Sequence, residues 1–254
     1  STVVLQDPEH GLTDEVLAEL RRESPITDIE VAEAGQEASY QRVIATYELG
    51  GRQVETAFDV LRQGEVWRLE SVAAQVDLGA LPIAQVPLTL NGVPLATISP
   101  SLFPGSYTLA TSAARYEVAN PEFVVESPES PPQVDAGLAL SHSGQAEVIR
   151  AAKAHLAACL KKRDLDPADC GFSITNPKGT KLKPSTMRWS VRSGSDQLGR
   201  MELSLDHPGS ATADIDIAIR GDVKGTDGSR WQAGVRLHRL RADLTGEKVT
   251  VQFG

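Results

Sequence analysis

Long apolar runs are missing from this 254-residue chain. No stretch approaches the roughly 18 consecutive apolar residues that a membrane-spanning helix needs. There is also no positively charged start followed by an apolar segment, so no signal peptide is predicted. Because the sequence begins at Ser1 without methionine and soon shows structured patterning, we expect a fragment whose signal or membrane anchor lies upstream.

Catalytic and cofactor motifs are absent as well. The sequence has no HExxH, GxSxG, P-loop or GxGxxG motif, and "DVKGTDG" lacks the acids of an EF-hand loop. Asp214 and Asp216 alternate with isoleucines, which places them about 7 Å apart on the solvent face of a strand. Four of the five histidines are scattered over predicted loop, helix and strand: His142, His155, His207 and His238. We therefore predict no catalytic residue, cofactor or metal site.

Cysteine is scarce, since the only two are Cys159 and Cys170, eleven positions apart. A structural zinc site needs four ligands, and no CxxC or histidine at ligand spacing supplies them. The preferred interpretation is a local disulfide, which would stabilise the fold by roughly 3 kcal/mol and indicate an oxidising, extracytoplasmic compartment. The alternative is two reduced cysteines, with Cys159 packed as a small apolar residue.

Lysine is missing from the first half of the chain. Residues 1–133 hold 7 arginines, no lysine and 20 acids, a net charge of −13, whereas residues 134–254 carry +4. An acidic half repels nucleic acid and anionic membrane. The second half could meet an anionic polymer if its cations cluster, although a solvated surface of mixed charge is the simpler interpretation.

Residues 1–77 are predicted to form a helix-on-sheet domain that is curtailed at its N-terminus. Thr13 is a candidate N-cap, because acids and then an apolar face follow it. Three segments of alternating polarity come next: "QRVIATYEL", "QVETAFDVL" and "EVWRLESV". Turns at Gly50-Gly51 and Gln63-Gly64 connect them, which predicts an antiparallel meander.

Residues 78–126 are predicted to form a small β-sandwich, followed by a proline-rich linker at 127–137. Asn91-Gly92 suits a type I′ hairpin. Pro87 and Pro94 cannot donate to a sheet ladder, so their strands are placed at an edge. In "FPGSYTLA" a Pro-Gly turn leads into a strand, and Tyr107 and Leu109 share one face. The linker prolines favour a stiff, extended conformation.

Residues 138–254 repeat the first domain in outline, with a helix followed by a curved meander. Ser143 is the candidate N-cap, and the apolar stripe runs through Val148, Ala152, Leu156 and Cys159 or Leu160. Pro167 is expected to stop the helix. Five strands are predicted from alternating polarity: "TMRWSV", "RMELSLD", "ADIDIAIR", "RWQAGVRLHRL" and "KVTVQF".

Cations gather in two segments of this last domain. Lys178, Lys181, Lys183 and Arg188 lie in the first; Arg236, His238, Arg239 and Arg241 lie in the second. If the two segments meet, they form a patch for phosphate or carboxylate groups. The predicted polyanion-binding residues are Lys181, Lys183, Arg236 and Arg239. No aromatic residues are interleaved with them, which argues against a single-stranded nucleic-acid platform.

The order of parts carries a family resemblance. "VIATYELGGRQVETAFDVLRQGEVWRLES", "LNGVPLATISPSLFPGSYTLA" and "AACLKKRDLDPADCGF" before a β-rich end resemble the extracytoplasmic regions of single-span membrane proteins of high-GC Gram-positive bacteria. Their architecture is similar to that of the teicoplanin-resistance-associated TcaA proteins. The resemblance implies cystatin-like domains of the nuclear-transport-factor cone type flanking a small immunoglobulin-like domain, an anchor upstream of Ser1, and no catalysis.

The predicted function is a non-catalytic ectodomain of a membrane-anchored envelope protein. Its expected partners are a cell-wall polymer, a glycopeptide-like ligand or an envelope protein, without nucleic acid and with the membrane only through the upstream anchor. The alternative is a small-molecule-binding or hydrolytic cone domain. Its pocket would be lined by the concave sheet face around Trp189, Met201 and Trp231, which are more simply core residues.

Overall fold

A computed structural model of the chain describes residues 14–32, 39–176 and 180–254. The candidate cap Thr13 and the cation Lys178 lie outside these residues. The protein is a mixture of α and β structure that is mostly β, with 47% strand and 15% helix. No helix of the described ranges is both long and apolar enough to cross a membrane.

The chain folds as two compact units. The first extends to Ala113 and resumes over Glu117–Leu138; the second comprises Ala114–Tyr116 and Ala139–Gly254. The first unit contains both regions that we predicted as separate domains, and the second begins close to the predicted end of the linker. The predicted boundaries at 77, 126 and 137 stay predictions.

The first unit begins with helix α1 and a four-stranded antiparallel sheet in sequence order. The elements are α1 (Asp14–Glu23), β1 (Ile26–Ala32), β2 (Tyr40–Leu49), β3 (Arg52–Gln63) and β4 (Val66–Leu69). The predicted meander of β2, β3 and β4 is confirmed, and Gly50 and Gly51 make the first turn with φ of 58° and 83°. Ala45, Tyr47 and Leu49 share the buried face of β2, as the alternation predicts.

Strand β1 was not predicted from the sequence. Its apolar residues Ile26, Ile29 and Val31 break the two-residue period of a strand. The cause is a bulge: the pairing with β2 shifts between Thr27 and Glu30, and Asp28 has a φ of 51°. A bulge inserts one extra residue, so the pattern shifts by one position there.

The rest of the first unit is built from short strands. They are β5 (Ala74–Gln75), β6 (Leu88–Leu90), β7 (Val93–Pro94), β8 (Ser101–Leu102), β9 (Gly105–Thr111), β10 (Tyr116–Ala119), β11 (Glu122–Val125) and β12 (Gly137–Leu140). The first residue of β10 and the last two of β12 are assigned to the second unit. One sheet has the order β11-β9-β6-β7, so Pro94 lies in an edge strand as predicted. Asn91 and Gly92 make the hairpin with positive φ. Tyr107 is buried, and its hydroxyl donates to the Phe103 carbonyl at 2.8 Å.

The start of the proline-rich segment is attached to the first sheet. Glu129 accepts a hydrogen bond from the backbone N–H of Asp59 at 2.8 Å and pairs with Arg42 at 3.0 Å. Ser127 is buried, and it bridges Ser130. The segment therefore packs on its own unit at this end.

In the second unit, helix α2 (His142–Lys161) packs on a curled antiparallel sheet. Its strands are β13 (Arg188–Ser193), β14 (Ser204–His207), β15 (Ser210–Lys224), β16 (Arg230–Asp243) and β17 (Thr250–Phe253), ordered β13-β15-β16-β17 with β14 also pairing with β15. The predicted stripe of Val148, Ala152, Leu156 and Cys159 is buried. It faces a core that includes Ile215, Ile217 and Ile219.

Both ends of α2 differ from the prediction. The N-cap is Ser141 rather than Ser143, because the Ser141 side chain accepts from the Gly144 N–H at 3.1 Å. The Ser143 hydroxyl donates instead to the Ala114 carbonyl. The helix ends before Pro167, because Lys162 already has extended dihedrals, with φ −67° and ψ 138°.

Arg115 ties helix α2 to the turn after β16. Its guanidinium donates to both carboxylate oxygens of Glu147, at 2.8 and 3.0 Å. It also donates to the carbonyls of Leu244, Gly246 and Glu247. Bidentate, charge-assisted bonds of this kind are among the stronger ones in proteins.

Replacing Arg115 with alanine is expected to lower the free energy of unfolding by about 1.5 kcal/mol, because hydrogen bonds to a charged group are lost. The Arg115 side chain, by its hydrogen bonds, lowers the pKa of Glu147 from its ordinary value of 4.5. The contribution of the Arg115–Glu147 pair to the free energy of unfolding is therefore complete above pH 4.5. It is lost as the pH falls through the lower pKa that Glu147 has in the folded state. Urea unfolding at pH 7 and at acidic pH measures it. Arg115→Lys, which keeps the charge, should lose less; equal stability of Arg115→Ala and the parent would contradict the assignment.

Candidate polyanion-binding face

The four predicted polyanion-binding residues lie at two places in the second unit. Lys181 and Lys183 flank the buried Leu182, which forms a bridge to Gly225 just after β15. Arg236 and Arg239 lie on β16. All four side chains are exposed.

The structure does not bring these two places together. Lys183 lies opposite Lys224, which in turn pairs with Arg230, the first residue of β16. Arg236 is six positions further along that strand, which corresponds to about 20 Å. The two cationic segments therefore do not meet, and they do not form one joint patch.

Arg236 and Arg239 already have carboxylate partners. The Arg236 Nη1 atom donates to both oxygens of Asp216 at 2.9 Å, and Arg239 lies 3.8 Å from Asp214. Both aspartates are exposed, as their alternation with isoleucines predicted. Such surface pairs add little stability, but each aspartate cancels the charge that a polyanion would meet.

A row of three cations lies at the other end of the sheet. Lys183 precedes β13, and its backbone N–H donates to the Lys224 carbonyl at the end of β15 at 2.9 Å; Lys224 in turn pairs with Arg230, and all three side chains are exposed. We call Lys183, Lys224 and Arg230 the cationic row. Hydrogen-bonded neighbouring backbone segments are about 4.8 Å apart, so the three positions span about 10 Å. None of the three forms an ion pair with another residue that the structure describes.

The hairpin between β15 and β16 fixes the position of this row. The Gly225 N–H donates to the Ser229 carbonyl at 2.8 Å, and Gly228 takes a φ of 86°. Asp227, in the same turn, has its pKa lowered mainly by hydrogen bonds from Ser229, with a smaller effect from Lys183. Lys181 exposes a fourth cation beside the turn, because its carbonyl accepts from Thr226 at 2.8 Å.

Sequence reasoning missed Lys224 and Arg230. They are separated by six positions in "KGTDGSR", and only the turn brings them opposite each other. The sequence did indicate this pairing, because a short loop that ends in glycine is typical of a β-hairpin. A hairpin at this loop places Lys224 opposite Arg230. Like charges directly opposite each other destabilise a sheet, so this row is a local conflict of the type found at functional sites.

The disulfide between Cys159 and Cys170 is present. The two Cα atoms are 5.7 Å apart, and both residues are fully buried between α2 and the following loop. His155 lies 3.6 Å from the Cys159 sulfur and contacts the Asp169 carbonyl at 2.8 Å. The side chains of His155, Cys159 and Cys170 are close enough to share a metal ion. Zinc binds cysteine as the thiolate, however, and the disulfide uses both sulfurs.

The alternative pocket on the concave face is occupied by core packing at Trp189. Its indole N–H donates to the Asp164 carbonyl at 3.0 Å, and its ring lies 4.6 Å from that of Phe172. Met201 and Trp231 are partly buried against the same core. Trp189 therefore belongs to the hydrophobic core of the second unit, and Met201 and Trp231 pack at its edge.

Comparison with family models, with curated proteins and with solved structures found no match.

Proposed function

We propose that this chain is a non-catalytic, extracytoplasmic binding or scaffolding region of a membrane-anchored cell-envelope protein, and that it contacts anionic wall polymer through the cationic row. The finer fold that we propose is TcaA-like: two cystatin-like domains flanking an immunoglobulin-like one. The buried Cys159–Cys170 disulfide supports an oxidising location, because such bonds persist outside the reducing cytoplasm.

The observation that carries the proposal is the cationic row itself. Three exposed cations spread over about 10 Å can each meet a separate charge of a flexible phosphate or carboxylate polymer, whereas one small anion cannot contact all three. Lys183 and Lys224 present point charges, whereas Arg230 can bind an oxyanion through two parallel N–H groups. Lys181 extends the positive surface beside the turn.

The proposal is tested by reversing the charges of the row. A triple variant, Lys183→Glu, Lys224→Glu and Arg230→Glu, is expected to bind purified sacculi about 100-fold more weakly at low salt. Each cation near an anionic surface contributes about 1 kcal/mol, and 1.4 kcal/mol corresponds to a factor of ten. Co-sedimentation with intact sacculi, and with sacculi stripped of anionic polymer, measures the effect.

The matched control reverses the two arginines that already have partners, Arg236→Glu and Arg239→Glu. It reverses two charges on the same sheet face, compared with three in the cationic-row variant. It is expected to retain at least half of the parent's binding to sacculi. If this control loses binding while the cationic-row variant retains it, the assignment to the row is wrong. If the parent protein binds stripped and intact sacculi equally, its partner is a protein or another wall component rather than the anionic polymer.

A further inference from the structure

A second site lies at the opposite end of the same sheet. A recess of about 350 Å³ opens there, where β14, β15, β16 and β17 come together. Its polar lining includes six side chains: His207, Ser210, Arg241, Asp243, Thr250 and Gln252. We propose that this recess binds a small molecule in which an ammonium group is adjacent to a carboxylate, that is, a free α-amino acid.

The Ser210 hydroxyl is the first observation that indicates a ligand. Ser210 is only 3% exposed, and within the described residues its Oγ has no hydrogen-bond partner. A buried hydroxyl without a partner is costly and calls for a bound group. The strand pairing places Ser210 level with Asp243 and Thr250, at the recess.

Arg241 supplies a positive charge for the carboxylate. It lies level with Gln252 of β17, is exposed, and forms no ion pair with any described residue. In this it differs from Arg236, which is engaged by Asp216. A free guanidinium can hold a carboxylate through two parallel hydrogen bonds.

Asp243 supplies the matching negative charge. It follows Arg241 by two positions on the same face of β16, about 7 Å along the strand. Its Oδ1 accepts from the Thr245 N–H at 2.9 Å and from the Thr245 hydroxyl at 2.7 Å. These bonds fix the carboxylate and leave Oδ2 for an ammonium donor. They are also the main reason that the pKa of Asp243 is lowered, so the group is charged at neutral pH.

Charge balance selects this ligand class over others. One cation and one anion side by side match a zwitterion, whereas Asp243 would repel phosphate. His207 adds a donor: its Nδ1 accepts from the Gly209 N–H at 3.1 Å, so the proton of the neutral ring is on Nε2. A recess of about 350 Å³ is larger than glycine and leaves room for a side chain.

The recess is separate from the cationic row. Arg241 and Arg230 are eleven positions apart on β16, about 35 Å along the strand. Failure of one proposal therefore leaves the other standing.

The test is an NMR titration of the whole chain with glycine, following the backbone amides of Ser210, Arg241 and Asp243. Acetate, methylamine and N,N,N-trimethylglycine are run in parallel, because each lacks either one charge or the N–H donors. Glycine is expected to saturate these amides in the millimolar range. The three analogues should bind about tenfold more weakly or worse, which is the loss expected for one charged hydrogen bond.

Variants locate the site. Arg241→Gln is expected to weaken glycine binding about tenfold, and Ser210→Ala severalfold, while Arg236→Gln leaves it unchanged. Equal binding of glycine and acetate would overturn the proposal in favour of a simple anion site. Absence of any titration would also overturn it, because water would then be the partner of Ser210.

Discussion

Replacing both Cys159 and Cys170 with alanine is expected to lower the free energy of unfolding of the second unit by about 3 kcal/mol, the chain-entropy value for a loop of this length. The bond closes an eleven-residue separation and joins the last turn of α2 to the loop before the sheet. Without it, the unfolded chain regains the conformations that the loop had excluded. Urea unfolding of the parent and the double variant, monitored by tryptophan fluorescence, measures the difference.

The reductant supplies an internal control for this prediction. Dithiothreitol should shift the unfolding midpoint of the parent toward that of the double variant and leave the variant unchanged. A loss below about 1 kcal/mol would show that other contacts hold the loop. The candidates are the Trp189 indole bond to the Asp164 carbonyl and the Lys162 ammonium bond to the Ala168 carbonyl, at 3.0 and 2.8 Å.

Gly144→Ala is expected to destabilise the second unit by about 2 kcal/mol, although alanine is the better helix former. Gly144 lies in the first turn of α2, and a Cβ there would be 2.2 Å from the Arg115 carbonyl oxygen. Backbone cannot yield as a flexible side chain does, so the helix start or the 114–116 segment must shift. That shift would also strain the bidentate pair of Arg115 with Glu147.

The matched control is Gly234→Ala. Gly234 lies in β16, has no other atom within 4 Å of a built Cβ, and does not have positive φ. Alanine there should be neutral or slightly stabilising, since glycine in a strand costs roughly 0.5 to 1 kcal/mol. Thermal unfolding of the two variants compares them directly. A stabilising Gly144→Ala would contradict the close approach of helix and carbonyl.

The strands were predictable where a single period holds. In β15, buried positions alternate with more exposed ones from Ala213 to Lys224, and one buried face results, as at Ile215, Ile217 and Ile219. The same alternation buries Ala45, Tyr47 and Leu49 in β2. Strand β1 was not predictable, because the bulge at Asp28 shifts the pattern within seven residues. The cap of α2 lies at Ser141 because the helix already begins at His142, and both serines donate to the Ala114 carbonyl, which is distant in the chain.

The candidate site was only half predictable for a similar reason. Lys181 and Lys183 are neighbours in the sequence, so their cluster is visible there. The partners of Arg236 and Arg239 are not visible, because they depend on the register between β15 and β16, which includes a shift between Asp214 and Ile217. The same register creates the pairing of Lys224 with Arg230. Cross-strand contacts decide which cations are free.

The salt dependence of binding to a soluble anionic wall polymer tests the cationic row most directly. Each charge contact that releases a counterion from a flexible polyanion adds about 0.7 to the slope of log affinity against log salt concentration. The parent is therefore expected to have a slope steeper by about 2 than the triple variant of Lys183, Lys224 and Arg230. Identical slopes for the two proteins, or a loss of slope in the Arg236 and Arg239 variant instead, would contradict the account.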